Sequence, residues 1–167
     1  ILYSQFNERE DIWCERVFSP WVDFEDVMRK NNIPLFALES RDSIKDFDFI
    51  GFTLQYELSY TNILTMLDLA GVPLKSADRT DFTPIVVAGG PCACNPEPLA
   101  DFVDIFFLGD GEKVDLEVID LYRKYKKNGG TKQDFLYEAA QIEGVYVPSL
   151  YDVSYNTNGG SEVISQI

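Results

Sequence analysis

A chain of 167 residues is the length of one domain, with room for a small appendage at most. Its 46% hydrophobic and 14% aromatic content is enough to bury a core, which excludes global disorder. Asp and Glu number 28 against 14 Lys and Arg, and the net charge of −14 argues against gripping nucleic-acid phosphate by the overall field or docking on an anionic membrane.

No apolar run approaches the roughly 18 residues of a transmembrane helix, and no signal peptide is visible. Three cysteines with no disulfide-framework spacing point to a reducing cytoplasm. The chain has no histidine, which excludes a Ser–His or Cys–His nucleophile pair, a His metal ligand and a His base from it.

Residues 1–7 read as the last turns of a helix, and with Ile1 in place of Met we expect a piece of something longer. The roughly alternating, strand-forming segment 11–18 predicts a strand. Ser19 as N-cap and Pro20 at the first position predict a helix to about Lys30, with Asn31, Asn32 and Pro34 as its stop. A short strand follows at 35–38. The apolar run 48–54 predicts a buried strand covered on both faces. Ser59 then caps a helix carrying Ile63, Leu64, Leu67 and Ala70 on one side, closed by Gly71.

Residues 84–90 and 103–108 are two further buried strands, each running into a glycine turn. A helix over 112–127 places Val114, Val118, Leu121 and Tyr125 on one stripe and stops at Gly129-Gly130. Thr131 opens a last helix in capping-box style. The tail, 144–155 and 162–167 around the turn from Asn156 to Gly160, predicts a hairpin. Strands alternating with helices define an α/β doubly wound, mainly parallel sheet, and ligands of such sheets bind at strand carboxyl ends.

Three strand ends carry candidate chemistry. Gly89-Gly90-Pro91 allows positive φ and close backbone approach to a flat or phosphorylated ligand, or serves only as a tight turn. Gly109-Asp110-Gly111-Glu112 is neither a dinucleotide fingerprint nor a phosphate-binding loop of the Lys-Ser/Thr kind. Its N–H groups either meet a polar ligand edge, with Glu112 at the helix start, or form an ordinary glycine loop. Thr53 ends the first buried strand, and the hydroxyls of Ser59 and Thr61 either line a pocket or cap a surface helix. Cys92 and Cys94 supply too few thiolates for a metal site and read as small loop residues. The acids Asp110, Glu112, Asp115, Glu117 and Asp120 do not converge on one helix face and read as a solvated helix start, with no metal site predicted.

Taken together, Gly89-Gly90-Pro91, Pro96-Glu97, Asp104 and Gly109-Asp110-Gly111-Glu112 resemble a recurrent pattern of cobalamin-binding domains in radical S-adenosylmethionine (SAM) proteins. The long strings at 11–21, 33–40, 51–62 and 144–149 are similar to one bacterial family of this kind, and the likeness covers nearly the whole chain. The resemblance implies a flavodoxin-like domain without its first strand over 1–143. A hairpin or linker at 144–167 then leads toward a radical SAM barrel, the domain's partner in the same parent chain. It implies cobalamin along the strand ends, with Thr53, Ser59, Thr61, Gly89, Gly90, Pro91, Gly109, Asp110, Gly111 and Glu112 around it and no histidine ligand from this chain. The [4Fe–4S] cluster and SAM belong to the barrel, since no C-x3-C-x2-C motif occurs here, and this chain alone is not catalytic. Two other readings stand beside this one: a domain without cofactor that serves as a structural or protein-interaction module, and a flavin or nucleotide binder. An open sheet edge would also allow pairing with a second copy.

Overall fold

The computed structural model describes residues 1–82 and 84–154, and the backbone of 163–166. Two helices, α1 (Leu2–Asn7) and α2 (Val22–Asn31), precede an alternation of strands and helices. These are β1 (Phe49–Thr53), α3 (Tyr60–Ala70), β2 (Ile85–Gly89), β3 (Ile105–Phe107), α4 (Gly111–Asn128), α5 (Lys132–Ala139) and β4 (Val145–Tyr146). The strands form one sheet in the order β1-β2-β3-β4. β1, β2 and β3 are parallel, with Gly51 opposite Val87 and Val87 opposite Ile105, while β4 runs antiparallel to β3. This is the mainly parallel α/β architecture expected from the apolar strands, consistent with the flavodoxin-like fold that the resemblance implies, and β1 forms one edge of its sheet.

Side-chain alternation along the strands divides the sheet into two faces. Ile50, Val86, Ala88 and Phe106 point into a core shared with Met28 of α2 and with Ile63 and Leu67 of α3. Ile85, Ile105 and Phe107 point the other way, toward Val118 and Tyr122 of α4 and Phe135 of α5. Two apolar cores, one on each face, follow from a parallel sheet whose both faces must leave water.

Helix termini match their sequence signals in most places. Gly71 and Gly129 close α3 and α4 in the left-handed conformation. The Thr131 hydroxyl oxygen accepts the Asp134 N–H at 3.1 Å, the expected cap of α5. α2 departs from expectation, because it starts at Val22 with Trp21 as its flanking residue, so Ser19 caps nothing.

Segment 11–18 is not a strand. Side chains take the place of a ladder there: the Cys14 N–H donates to Asn7 Oδ1 (3.1 Å) and the Arg16 N–H to Glu39 Oε2 (2.9 Å). Segment 35–38 contributes a single bridge, Phe36 to Ser43. The tail divides: β4 joins the main sheet, and the hairpin pairs β5 (Tyr151–Ser154) with β6 (Val163–Gln166). The turn predicted at 156–160 lies outside the described residues.

Below the amino end of β3 sits a buried ionic cluster. Asp104, just before the strand, is 1% exposed; it accepts from Arg79 Nη2 (3.1 Å), Lys132 Nζ (2.9 Å) and the Val86 N–H (2.8 Å). Arg79 also donates to the carbonyls of Pro73, Leu74 and Phe102, and Lys132 donates to the Arg79 carbonyl. Asp104 thus joins β2, β3, α5 and the 73–79 loop at the end of the sheet away from its ligand-competent edge.

Candidate functional site

A cleft of about 1260 Å³ runs between the sheet and α4, along β1 from Asp48 before its amino end to the carboxyl ends of β1, β2 and β3. Its floor comes from one strand face, on which Gly51, Thr53, Val87, Gly89 and Phe107 line it. Gly51 and Gly89 carry no side chain at diagonal positions of β1 and β2, opposite Val87 and Thr53 respectively, so the floor is low at those two points. The contrast with the predicted fully covered strand is physical: Gly51 and Thr53 are exposed because they face this cleft. The wall is the first two turns of α4, from Gly111 through Asp115 to Val118. α1 and the segment 11–15 close one side, held there by Gln5 Nε2 donating to the Glu112 carbonyl and by an Arg123–Asp11 ion pair.

Seven of the ten candidate residues line the cleft: Thr53, Gly89, Gly90, Gly109, Asp110, Gly111 and Glu112. Ser59, Thr61 and Pro91 are outside its lining. The Ser59 hydroxyl is used locally, donating to the Tyr56 carbonyl at 2.8 Å, and Thr61 is exposed.

The two glycine turns differ in what they need. Gly90 has φ +106°, and a Cβ on it would lie 3.0 Å from the Leu54 carbonyl oxygen, so glycine is required by the backbone packing of β1 against β2. Hydrogen bonds from the Leu54 N–H to the Gly89 carbonyl (2.7 Å) and from the Cys92 N–H to the Leu54 carbonyl (3.0 Å) fasten that junction. At Gly111 the constraint is a side chain, since a Cβ would meet Asp115 Oδ2 at 2.9 Å.

Asp115 does not belong to a solvated acidic helix start. It is 8% exposed and its Oδ1 is buried with no hydrogen-bond partner among the described residues. Burial, and then the neighbouring Glu112 charge, push its carboxyl up to about 6. The rest of the acid group disperses: Asp110 flanks the start of α4, and Asp120 binds Arg9 at 2.7 Å. Asp115 was legible in the period of the helix, because it precedes Val118 by three residues and Tyr122 by seven, on the buried stripe.

On the far side of the cleft, Asp48 accepts from Tyr122 Oη (2.7 Å) and from Lys126. Burial opposes its charge, but those two donors outweigh burial and hold the carboxyl below its ordinary range; the Tyr122 hydroxyl is pushed up to about 12, mostly by burial. Cys14, also in the lining, is raised first by burial and then by Glu39 and Glu15, so it stands as a thiol at neutral pH. Two other parts of the sequence pattern are structural: Glu97 accepts from Tyr146 Oη at 2.7 Å and so ties β4, and Asp104 anchors the cluster below the sheet. Among the described residues no group of three or more Cys, Asp or Glu is placed to hold a metal ion, and no helix is long and apolar enough to cross a membrane.

The raised Asp115 carboxyl has a consequence for stability. Its proton is held more tightly in the folded chain, at about 6, than in the unfolded chain, near 3.8. Stability is therefore lost as pH rises from about 4 to about 6 and the buried group ionises. Asp115→Asn is expected to match the parent near pH 4 and to exceed it at pH 7 by up to about 3 kcal/mol. Denaturant unfolding of both proteins at the two pH values checks this; equal stability at pH 7 contradicts it.

The family described as radical SAM proteins, N-terminal, matches residues 1–148. The chain belongs to that family, so it is an N-terminal domain of the kind found in radical SAM proteins. It is 33% identical over 138 residues to the uncharacterized protein MJ0966 of Methanocaldococcus jannaschii, an archaeon, which carries the likeness outside the bacteria. The match covers 71% of this chain and 30% of that relative, so the chain spans under a third of the relative's length. No solved structure matches the chain.

Proposed function

We propose that this domain holds a large, flat cofactor, cobalamin, for a radical SAM barrel in the same cytoplasmic protein, and performs no chemistry alone. The observation that carries the reading is a cleft of about 1260 Å³ whose apolar floor lacks a side chain at Gly51 and Gly89. That volume exceeds the roughly 300–1,000 Å³ of pockets for drug-sized ligands. One end of the cleft is the strand-end crevice of doubly wound sheets. The residues fit a macrocycle with an amide-bearing rim. Gly51, Gly89, Val87 and Phe107 offer a broad apolar floor, and Thr53, Gly109, Asp110, Gly111, Glu112 and Asp115 offer polar groups at its edge. With no histidine in the chain, none of these residues gives cobalt a lower imidazole ligand.

Bound cobalamin would supply alkyl-transfer or one-electron cobalt chemistry; the chain's own part is to orient the ring and keep one face of it dry. The cluster and SAM fall to the barrel, because Cys14, Cys92 and Cys94 are not spaced as cluster ligands. The flavin or nucleotide alternative is weaker, because no phosphate loop rich in Ser and Thr follows the segment 11–18.

A visible-absorption titration with hydroxocobalamin tests the reading. The intact protein is expected to bind it with no spectral sign of a histidine ligand from this domain. The 167-residue chain, whose β1 is both cleft floor and sheet edge, is expected to bind weakly or not at all. Failure of the intact protein to bind would favour the interaction-module reading, which the exposed Trp13, Phe18, Trp21 and Val22 then support.

A further inference from the structure

We propose that Asp115 is the anchor of the cleft, accepting a hydrogen bond from an N–H donor of the ligand, a primary amide or an ammonium-like group, and that the site selects against anionic ligands. The proposal rests on the reading of the cleft as a ligand site, and on no particular cofactor.

Three independent observations support it. Asp115 lines the cleft at 8% exposure, and its Oδ1 is buried with no partner among the described residues. A buried acceptor without a donor costs free energy, and a ligand N–H donated to this carboxylate would offset that cost. Gly111 holds the carboxylate in this position, since a Cβ there would lie 2.9 Å from Asp115 Oδ2 and displace it from the first turn of α4. The third observation is the charge of the lining. Eight carboxyl groups face two basic side chains there, and both of those are engaged by Asp11 and Asp48. No basic side chain of the lining is left for a phosphate or carboxylate, whereas a donor-bearing ligand meets an acceptor that lacks one. The Asp115 carboxyl is raised by burial and by Glu112, and a donated hydrogen bond would favour its charged form.

The test uses the intact protein and two variants, Asp115→Asn and, as a control on the exposed side of α4, Glu117→Gln. Hydroxocobalamin, whose rim carries primary amides, is expected to bind Asp115→Asn at least about tenfold more weakly than the parent and Glu117→Gln equally well. Asp115→Asn is expected at the same time to melt higher, so weaker binding cannot be assigned to a damaged fold. A second arm follows the carboxyl-carbon resonance of Asp115, identified by its loss in Asp115→Asn, as propionamide or propylammonium is added, with inorganic pyrophosphate as the anionic probe. A shift with the N–H donors and none with pyrophosphate supports the proposal. If the parent ignores hydroxocobalamin but the donor probes shift Asp115, the cobalamin reading falls and the anchor stands. Unchanged hydroxocobalamin affinity in Asp115→Asn overturns the anchor, as does an Asp115 resonance that no donor probe moves.

Discussion

Asp104→Ala is expected to destabilise the domain by about 3–5 kcal/mol, the usual cost of removing one partner from a buried ion cluster. The side chain is fully buried, and its loss strands two buried cations, Arg79 and Lys132, along with the Val86 N–H. Arg79 keeps three carbonyl acceptors and Lys132 keeps one, which spares the hydrogen-bonding capacity but leaves the charge uncompensated. For a chain of this length, each kcal/mol is about 2–4 °C, so melting should fall by about 10 °C. Replacing the whole cluster, Asp104→Leu with Arg79→Met and Lys132→Met, should cost far less, because no uncompensated charge remains. Thermal unfolding of both proteins decides it, and a single variant within about 1 kcal/mol of the parent would contradict the account.

Gly51→Leu is expected to weaken hydroxocobalamin binding by about a hundredfold or more, while leaving the fold as stable as before or more so. A Cβ at Gly51 meets only Val87 Cγ2, at 3.6 Å, an ordinary contact, and the residue is not in the left-handed region. The leucine therefore enters without backbone strain and stands in the cleft. Removing a glycine from a strand interior also returns roughly 0.5–1 kcal/mol. Gly90 offers no such test, since any side chain there strikes the Leu54 backbone. A Gly51→Leu protein with parental affinity and a higher melting temperature would move the ligand away from the strand ends.

The parts of this fold that were legible in the sequence are those where one local signal decides. Runs such as Ile85–Gly89 are apolar because both faces of a central parallel strand are covered, and Gly71, Gly129 and Thr131 punctuate helices by their own conformational or capping preferences. Segment 11–18 has strand composition, yet its backbone bonds go to Asn7 and Glu39, partners that no local pattern reveals. The same limit applied at the site. Gly89 and Gly109 through Glu112 were visible as glycine turns after apolar strands. Gly51 was hidden inside a strand, where its meaning depends on the cleft that Val87, opposite it on β2, and Gly89, diagonal to it, also line. Asp115 was grouped with its acidic neighbours because the group was tested for convergence on one face and not position by position against the apolar stripe; its three-residue step to Val118 puts it on the buried side. Asp104, by contrast, looked like a member of a binding pattern and is a pillar of the sheet's opposite end.

The central claim is that the strand-end cleft, floored by Gly51 and Gly89 and walled by the start of α4, is where the cofactor lies. A crystal structure of the intact protein grown with hydroxocobalamin tests it most directly. The account predicts corrin density lying over Gly51 and Gly89, with a rim amide within hydrogen-bond distance of Asp115. Density on another face of the domain, or a cleft filled by the protein's own side chains while cobalamin sits elsewhere, would contradict it.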